Sequence, residues 1–210
     1  MKTVRFVVAG ILLGLGMLVL NSCVPTPLVT IEWEPDGNGF IQYQTNDPAN
    51  ASQEFHILYP STDHVPMTLL FPVEVTVKKV VGSVGGGYGI VFCAVDDQNY
   101  YKILISRAGT FAIILVVDGS DNPIRKWDYP AIATLHPGYN TENTIRVTRT
   151  DPVGSFNVYF NNVWEDTFQD TLVSGGKSGF YVHVSDKITE YFPASMVDVR
   201  FKMLYPEEIP

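Results

Sequence analysis

Along run after run of this chain, apolar residues recur at every second position, and no run of ten or more residues repeats them at helical spacing. Phe71, Val73, Val75 and Val77 alternate with Pro72, Glu74, Thr76 and Lys78. Tyr101, Ile103 and Ile105 alternate with Tyr100, Lys102 and Leu104, and Phe111, Ile113, Leu115 and Val117 follow. The same rhythm returns in Ile145 and Val147, in Phe156, Val158 and Phe160, in Phe180, Val182 and Val184, and in Val197, Val199, Phe201 and Met203. Period two sends successive side chains to opposite faces of a strand. So many half-apolar strands bury their faces only where two sheets pack together. The expectation is an all-β, two-sheet antiparallel β-sandwich over residues 31–206. Turn chemistry falls between the runs, at Asp96–Asn99, Ser106–Gly109, Asp118-Gly119 and Asn161-Asn162. The glycines of 82–87 lead into a strand rather than a helix, which rules out a phosphate loop.

The N-terminus reads differently. Lys2 and Arg5 precede an apolar run, Phe6 to Leu20, that is shorter than the ~20 residues of a membrane span. It closes on Leu20-Asn21-Ser22-Cys23, which resembles the lipobox of bacterial lipoprotein precursors. That resemblance implies residues 1–22 as a removed signal peptide and a diacylglycerol on the Cys23 thiol. Residues 23–30 would then be a lipidated cysteine and tether, stiffened by Pro25 and Pro27. The implied setting is extracytoplasmic, lipid-anchored to a bacterial membrane. Val24 rather than Asp after the cysteine points to the outer membrane or cell surface.

Losing Lys2 and Arg5 leaves 12 Lys and Arg against 22 Asp and Glu, a net charge of −10. Such a chain is a poor partner for nucleic acid. With Cys23 committed to lipid, Cys93 has no partner for a disulfide. Its apolar surroundings, Gly89 to Val95, predict a buried, inert thiol.

Six stretches carry a family resemblance. Tyr88-Gly89-Ile90-Val91-Phe92 is followed by Asp97-Gln98-Asn99-Tyr100-Tyr101-Lys102-Ile103-Leu104-Ile105-Ser106 and by Gly109-Thr110-Phe111. Later come Asn143-Thr144-Ile145-Arg146-Val147, Asn157-Val158-Tyr159-Phe160-Asn161-Asn162 and Gly176-Lys177-Ser178-Gly179-Phe180-Tyr181-Val182. Together they resemble the concanavalin A-like lectin/glucanase jelly roll, best over about 71–202. The resemblance implies a ligand on the concave sheet or rim loops. It also implies a structural calcium ion in some members, for which Asp198 stands at a candidate position. Asp96, Asp97, Asp118 and Asp121 lie in turns, and no compact Asp-x-Asp-x-Asp loop occurs.

Enzymes of that group resembling laminarinases carry Glu-x-Asp-x-x-Glu on one strand, and retaining hydrolysis needs carboxyls about 5 Å apart. That motif is missing. Glu165 and Asp166 are adjacent and would point to opposite faces, while Glu32 and Glu34 share a face outside the matching region. The four histidines, His56, His64, His136 and His183, show no metal spacing. Sugar binding instead asks for an aromatic platform beside polar groups. Tyr100, Lys102, Arg146, Tyr159, Tyr181 and His183 are the outward candidates. Trp127 is a rim platform, with Trp33, Trp164 and Tyr129 further aromatics of that kind. The opposing reading makes the tyrosines cross-strand pairs and the tryptophans core edge. The resulting expectation is a non-catalytic binding module, with carbohydrate as ligand. The alternatives are a glycoside hydrolase-like enzyme and a structural or adhesive protein that binds a protein partner.

Overall fold

A computed structural model describes residues 30–59, 72–82, 86–127, 131–150, 154–169, 176–185 and 196–204. Cys23, its lipobox and Tyr129 lie outside the described residues. The described strands are β1 Thr30–Pro35, β2 Ile41–Thr45, β3 Glu54–Tyr59, β4 Val73–Val81, β5 Tyr88–Ala94, β6 Tyr100–Ile105 and β7 Phe111–Val117. They continue with β8 Ser120–Arg125, β9 Asn143–Arg149, β10 Ser155–Phe160, β11 Val163–Gln169, β12 Lys177–His183 and β13 Val197–Leu204. The only helical turn among the described residues is Pro48–Asn50, capped by Asp47.

The strands form a two-sheet antiparallel jelly-roll sandwich. The seven-stranded sheet runs β1-β2-β13-β4-β9-β10-β11 and the six-stranded sheet β3-β12-β5-β6-β7-β8. Consecutive strands β5 to β8 form a meander in one sheet, and β9 to β11 form one in the other. The late strands β12 and β13 then insert between early ones. The tightest turns are those that the sequence marks. Asp118 and Gly119 (φ 49° and 72°) join β7 to β8, and Asn161 and Asn162 (φ 51° and 68°) join β10 to β11. Two consecutive positive φ angles give a hairpin turn whose twist matches its strands, at little cost to Asn, Asp and Gly.

Between the sheets the alternating residues meet as expected. Phe92, Tyr101, Phe156 and Phe168 form one aromatic group, with ring centroids 5.2–5.8 Å apart. Phe180 and Phe201 stack at 5.0 Å beside Tyr43. Such rings dominate a core; truncating one to Ala costs about 3–5 kcal/mol. Trp33 belongs to this group as well. Its indole lies 5.3 Å from Tyr43 and 5.9 Å from Phe201, so it finishes the core edge rather than forming a platform.

One expectation needs correction. Tyr100, Lys102 and Tyr181 do point away from the main core, yet they are not solvated: they are 4%, 0% and 0% exposed. Antiparallel sheets often keep one face wet, but here the outer face of the six-stranded sheet is itself apolar. Val91, Ala94, Leu104, Ala112, Ile114 and Val116 pack with Tyr100 and Tyr181 into a second buried cluster. The two sheets are also tied at an edge. Arg125 of β8 donates through Nε and Nη2 to the Asp166 carboxylate of β11, at 2.6 and 3.1 Å.

Candidate functional site

Strand order brings distant polar residues together over the second cluster. Lys102, in β6, sits with its side chain only 1% exposed. Its ammonium donates to Asp121 Oδ1 of β8 at 2.9 Å, to Glu54 Oε2 of β3 at 3.3 Å and to the Tyr181 hydroxyl of β12 at 3.1 Å. A lysine has three N–H donors, and these three acceptors occupy them. The ammonium also lies 4.6 Å from the Tyr181 ring centroid. Burying a charge this deeply is tolerable only with such pairing. The two carboxylates it holds are 44% and 46% exposed, so both stay partly open to solvent.

His183 completes one flank, with Nδ1 3.7 Å from Glu54 Oε1. The His183 imidazole, and after it the Tyr181 hydroxyl and the Lys102 ammonium, outweigh burial and hold the Glu54 carboxyl down at about 2. Behind them His56 packs 5.3 Å from the Tyr100 ring. Burial lowers the His56 value, and burial, followed by the Glu54 charge, pushes the Tyr100 hydroxyl up to about 12.

Glu54, Lys102, Asp121 and His183 line a cleft of about 370 Å³. Leu104 and Ile114 also line it, as does Trp127, which is 38% exposed just beyond β8. Ser106 and Thr110, whose hydroxyls lie 2.8 Å apart, add a hydroxyl pair. Gly87 makes room for the indole: a Cβ there would stand 2.8 Å from Trp127 Cη2. The site is therefore an aromatic wall beside a charged network with half-exposed carboxylates, above an apolar floor.

Of the residues singled out in the sequence, Lys102, His183 and Trp127 line this cleft, with Tyr181 and Tyr100 built into the cluster beneath. Arg146 and Tyr159 do not join them. They face outward from the other sheet, where the Arg146 guanidinium stacks 4.6 Å from the Tyr159 ring centroid. Asp198 also lies on that sheet. It accepts from Gln42 Nε2 at 3.0 Å and from Arg200 at 3.2 and 3.3 Å. A carboxylate committed to a guanidinium is a poor fit to the six to eight oxygens that calcium takes. Among the described residues no group of three His, Cys, Asp or Glu side chains could hold a metal ion. Glu54 and Asp121 were not legible as site residues. Glu54 lies in the loosely patterned N-terminal part, and Asp121 reads as turn chemistry although it sits within β8.

No family model and no curated protein matches the chain. Solved structures match at the level of fold. A carbohydrate-binding module, CBM66, from Bacillus subtilis is 13% identical, with a TM-score of 0.48 over 78% of this chain and 79% of that one. A Bacillus licheniformis beta-glucanase is 11% identical, with a TM-score of 0.47 over 85% and 96%. Sheep Galectin-11 is 13% identical, with a TM-score of 0.41 over 73% and 98%.

Proposed function

We propose that this chain is a non-catalytic carbohydrate-binding module, carried outside the cytoplasm on a lipid attached to Cys23, with the cleft on the six-stranded sheet as its ligand site. The observation that carries the reading is the pairing of the half-exposed Trp127 indole with the Glu54–Lys102–Asp121 network across one cleft. A sugar ring offers an apolar face to an aromatic platform and hydroxyls to fixed acceptors. In this reading Lys102 positions the two carboxylates, and their half-exposed oxygens accept from the ligand. Fold likeness alone does not specify function, and the proposal rests on the cleft.

The presence of two carboxylates in one cleft favours a glycoside hydrolase as the second reading. Hydrolysis requires one of them to stay protonated as a general acid, with a raised pKa. Glu54 is held at about 2, and an ammonium sits against both groups. That electrostatics suits Glu54 as an ionised acceptor rather than a general acid.

A glycan-array screen of the mature chain, with and without calcium, tests the module. Binding that Trp127→Ala abolishes supports the cleft; silence across a broad array sinks the carbohydrate reading in favour of a protein partner. Metabolic labelling with palmitate that is lost in Cys23→Ala tests the anchor separately.

A further inference from the structure

On the opposite sheet the strand register aligns four residues in one row: Glu74 of β4, Arg146 of β9, Tyr159 of β10 and Trp164 of β11. The Arg146 guanidinium lies against the Tyr159 ring and comes within 3.9 Å of the Glu74 carboxylate, so the charges of the row cancel. Arg146 Nε is buried and makes no hydrogen bond. At the end of the row Trp164 is 58% exposed, yet it is held in place. Its Nε1 donates to Thr167 Oγ1 at 3.2 Å, which donates to Asn157 Oδ1 at 2.6 Å. A relay of this kind fixes the plane of the indole while leaving its face open to solvent. A pre-oriented ring loses little entropy on meeting a ligand. Thr148, paired with Asn157, adds a hydroxyl alongside.

We propose that this strip is a second carbohydrate-binding face that takes a neutral glycan lying flat along Tyr159 and Trp164. It is independent of the cleft, which shares none of its residues and opens on the other side of the sandwich. A fixed aromatic surface, no net charge and flanking hydroxyl and amide groups match the apolar face and hydroxyls of a neutral sugar. With both faces in use, one chain bridges two glycan strands.

The test is affinity electrophoresis of the full mature chain through gels containing barley β-glucan, xylan, galactomannan or dextran. Trp127→Ala removes the cleft platform and isolates the strip. Retardation of that variant in at least one gel is expected. Adding Trp164→Ala should weaken it about tenfold, the loss of one stacked ring. Thr167→Val, which frees the indole, should weaken it less, and Trp164→Phe should keep part of it. Mixed with the retarding polysaccharide, the wild-type chain should cross-link it into turbid aggregates, and either single Trp→Ala variant should not. The proposal is overturned if Trp127→Ala runs freely in every gel, or if adding Trp164→Ala to it leaves retardation unchanged. A change of oligomeric state in Trp164→Ala without a change in retardation also overturns it, by assigning the indole to self-association. Loss of cleft binding in Trp127→Ala with the strip still active, or the reverse, separates this inference from the proposed function.

Discussion

Lys102 and Asp121 meet at 2.9 Å although β7 lies between their strands. The contact crosses over Ile114, the register partner of Lys102. The pair is asymmetric, with a buried ammonium and half-exposed acids, and so the cost of breaking it depends on which side is removed. In Lys102→Met an apolar chain of similar volume fills the site and the carboxylates turn to water, at a cost below about 1.5 kcal/mol. The double change Glu54→Gln with Asp121→Asn leaves a buried cation without a counter-charge, at a cost of about 3 kcal/mol. Urea denaturation at neutral pH should rank the two in that order; the reverse order would show that Lys102 is not buried as a charge.

Glu54 gives the domain a pH signature. Its folded value of about 2 lies below the ordinary 4.5, so ionised Glu54 contributes stability above pH 4.5. That contribution is lost as the pH falls through 2. The difference in unfolding free energy between wild type and Glu54→Gln should be full at neutral pH and shrink across this window. A difference that stays constant with pH would mean that Glu54 is not paired.

Gly87 offers a test of the cleft that removes no ligand-facing side chain and displaces only one. The Cβ of Gly87→Ala would meet Trp127 Cη2 at 2.8 Å and Leu104 Cβ at 3.0 Å, forcing the indole outward. Affinity for any glycan taken by the cleft should fall about tenfold, with the melting temperature nearly unchanged, because a displaced aromatic platform loses its stacking. Isothermal titration beside Trp127→Ala provides the comparison.

Gly89 behaves differently, because nothing near it can yield. An added Cβ would lie 2.0 Å from the Ile103 backbone oxygen. Gly89→Ala must therefore push β5 away from β6 in the middle of the six-stranded sheet. The expected cost exceeds about 3 kcal/mol, visible as loss of cooperative unfolding in circular dichroism.

Cys93 is fully buried and in van der Waals surroundings, and burial pushes its thiol up to about 12. Iodoacetamide should leave native protein unlabelled at mildly alkaline pH and label it fully in denaturant. Fast labelling of the native chain would contradict this packing.

The parts of the fold that were legible in the sequence are those set by local rules. Alternation placed Tyr101, Ile103 and Ile105 in the core, and Asp118-Gly119 and Asn161-Asn162 marked their hairpins. What escaped depends on strand order, which period two does not encode. Glu54 is 48 residues from Lys102 and reaches it across β12 and β5, which lie between β3 and β6 in the same sheet. Arg146 and Tyr159 have the same outward alternation as Lys102 and Tyr181, yet belong to the other sheet. One overlooked signal was local. In Phe111–Val117 the intervening Ala112, Ile114 and Val116 are apolar too, a pattern that marks a strand buried on both faces.

The place of β13 has a consequence for how the sandwich comes apart. Among the described residues it lies inside the seven-stranded sheet, between β2 and β4, and joins β1-β2 to β4-β9-β10-β11. Withdrawing Val197–Leu204 would split that sheet in two, leave a bare edge on each piece and take Val197, Val199 and Phe201 out of the core. Two bare edges facing one gap are a template for any strand that fits, including the β13 of a second copy.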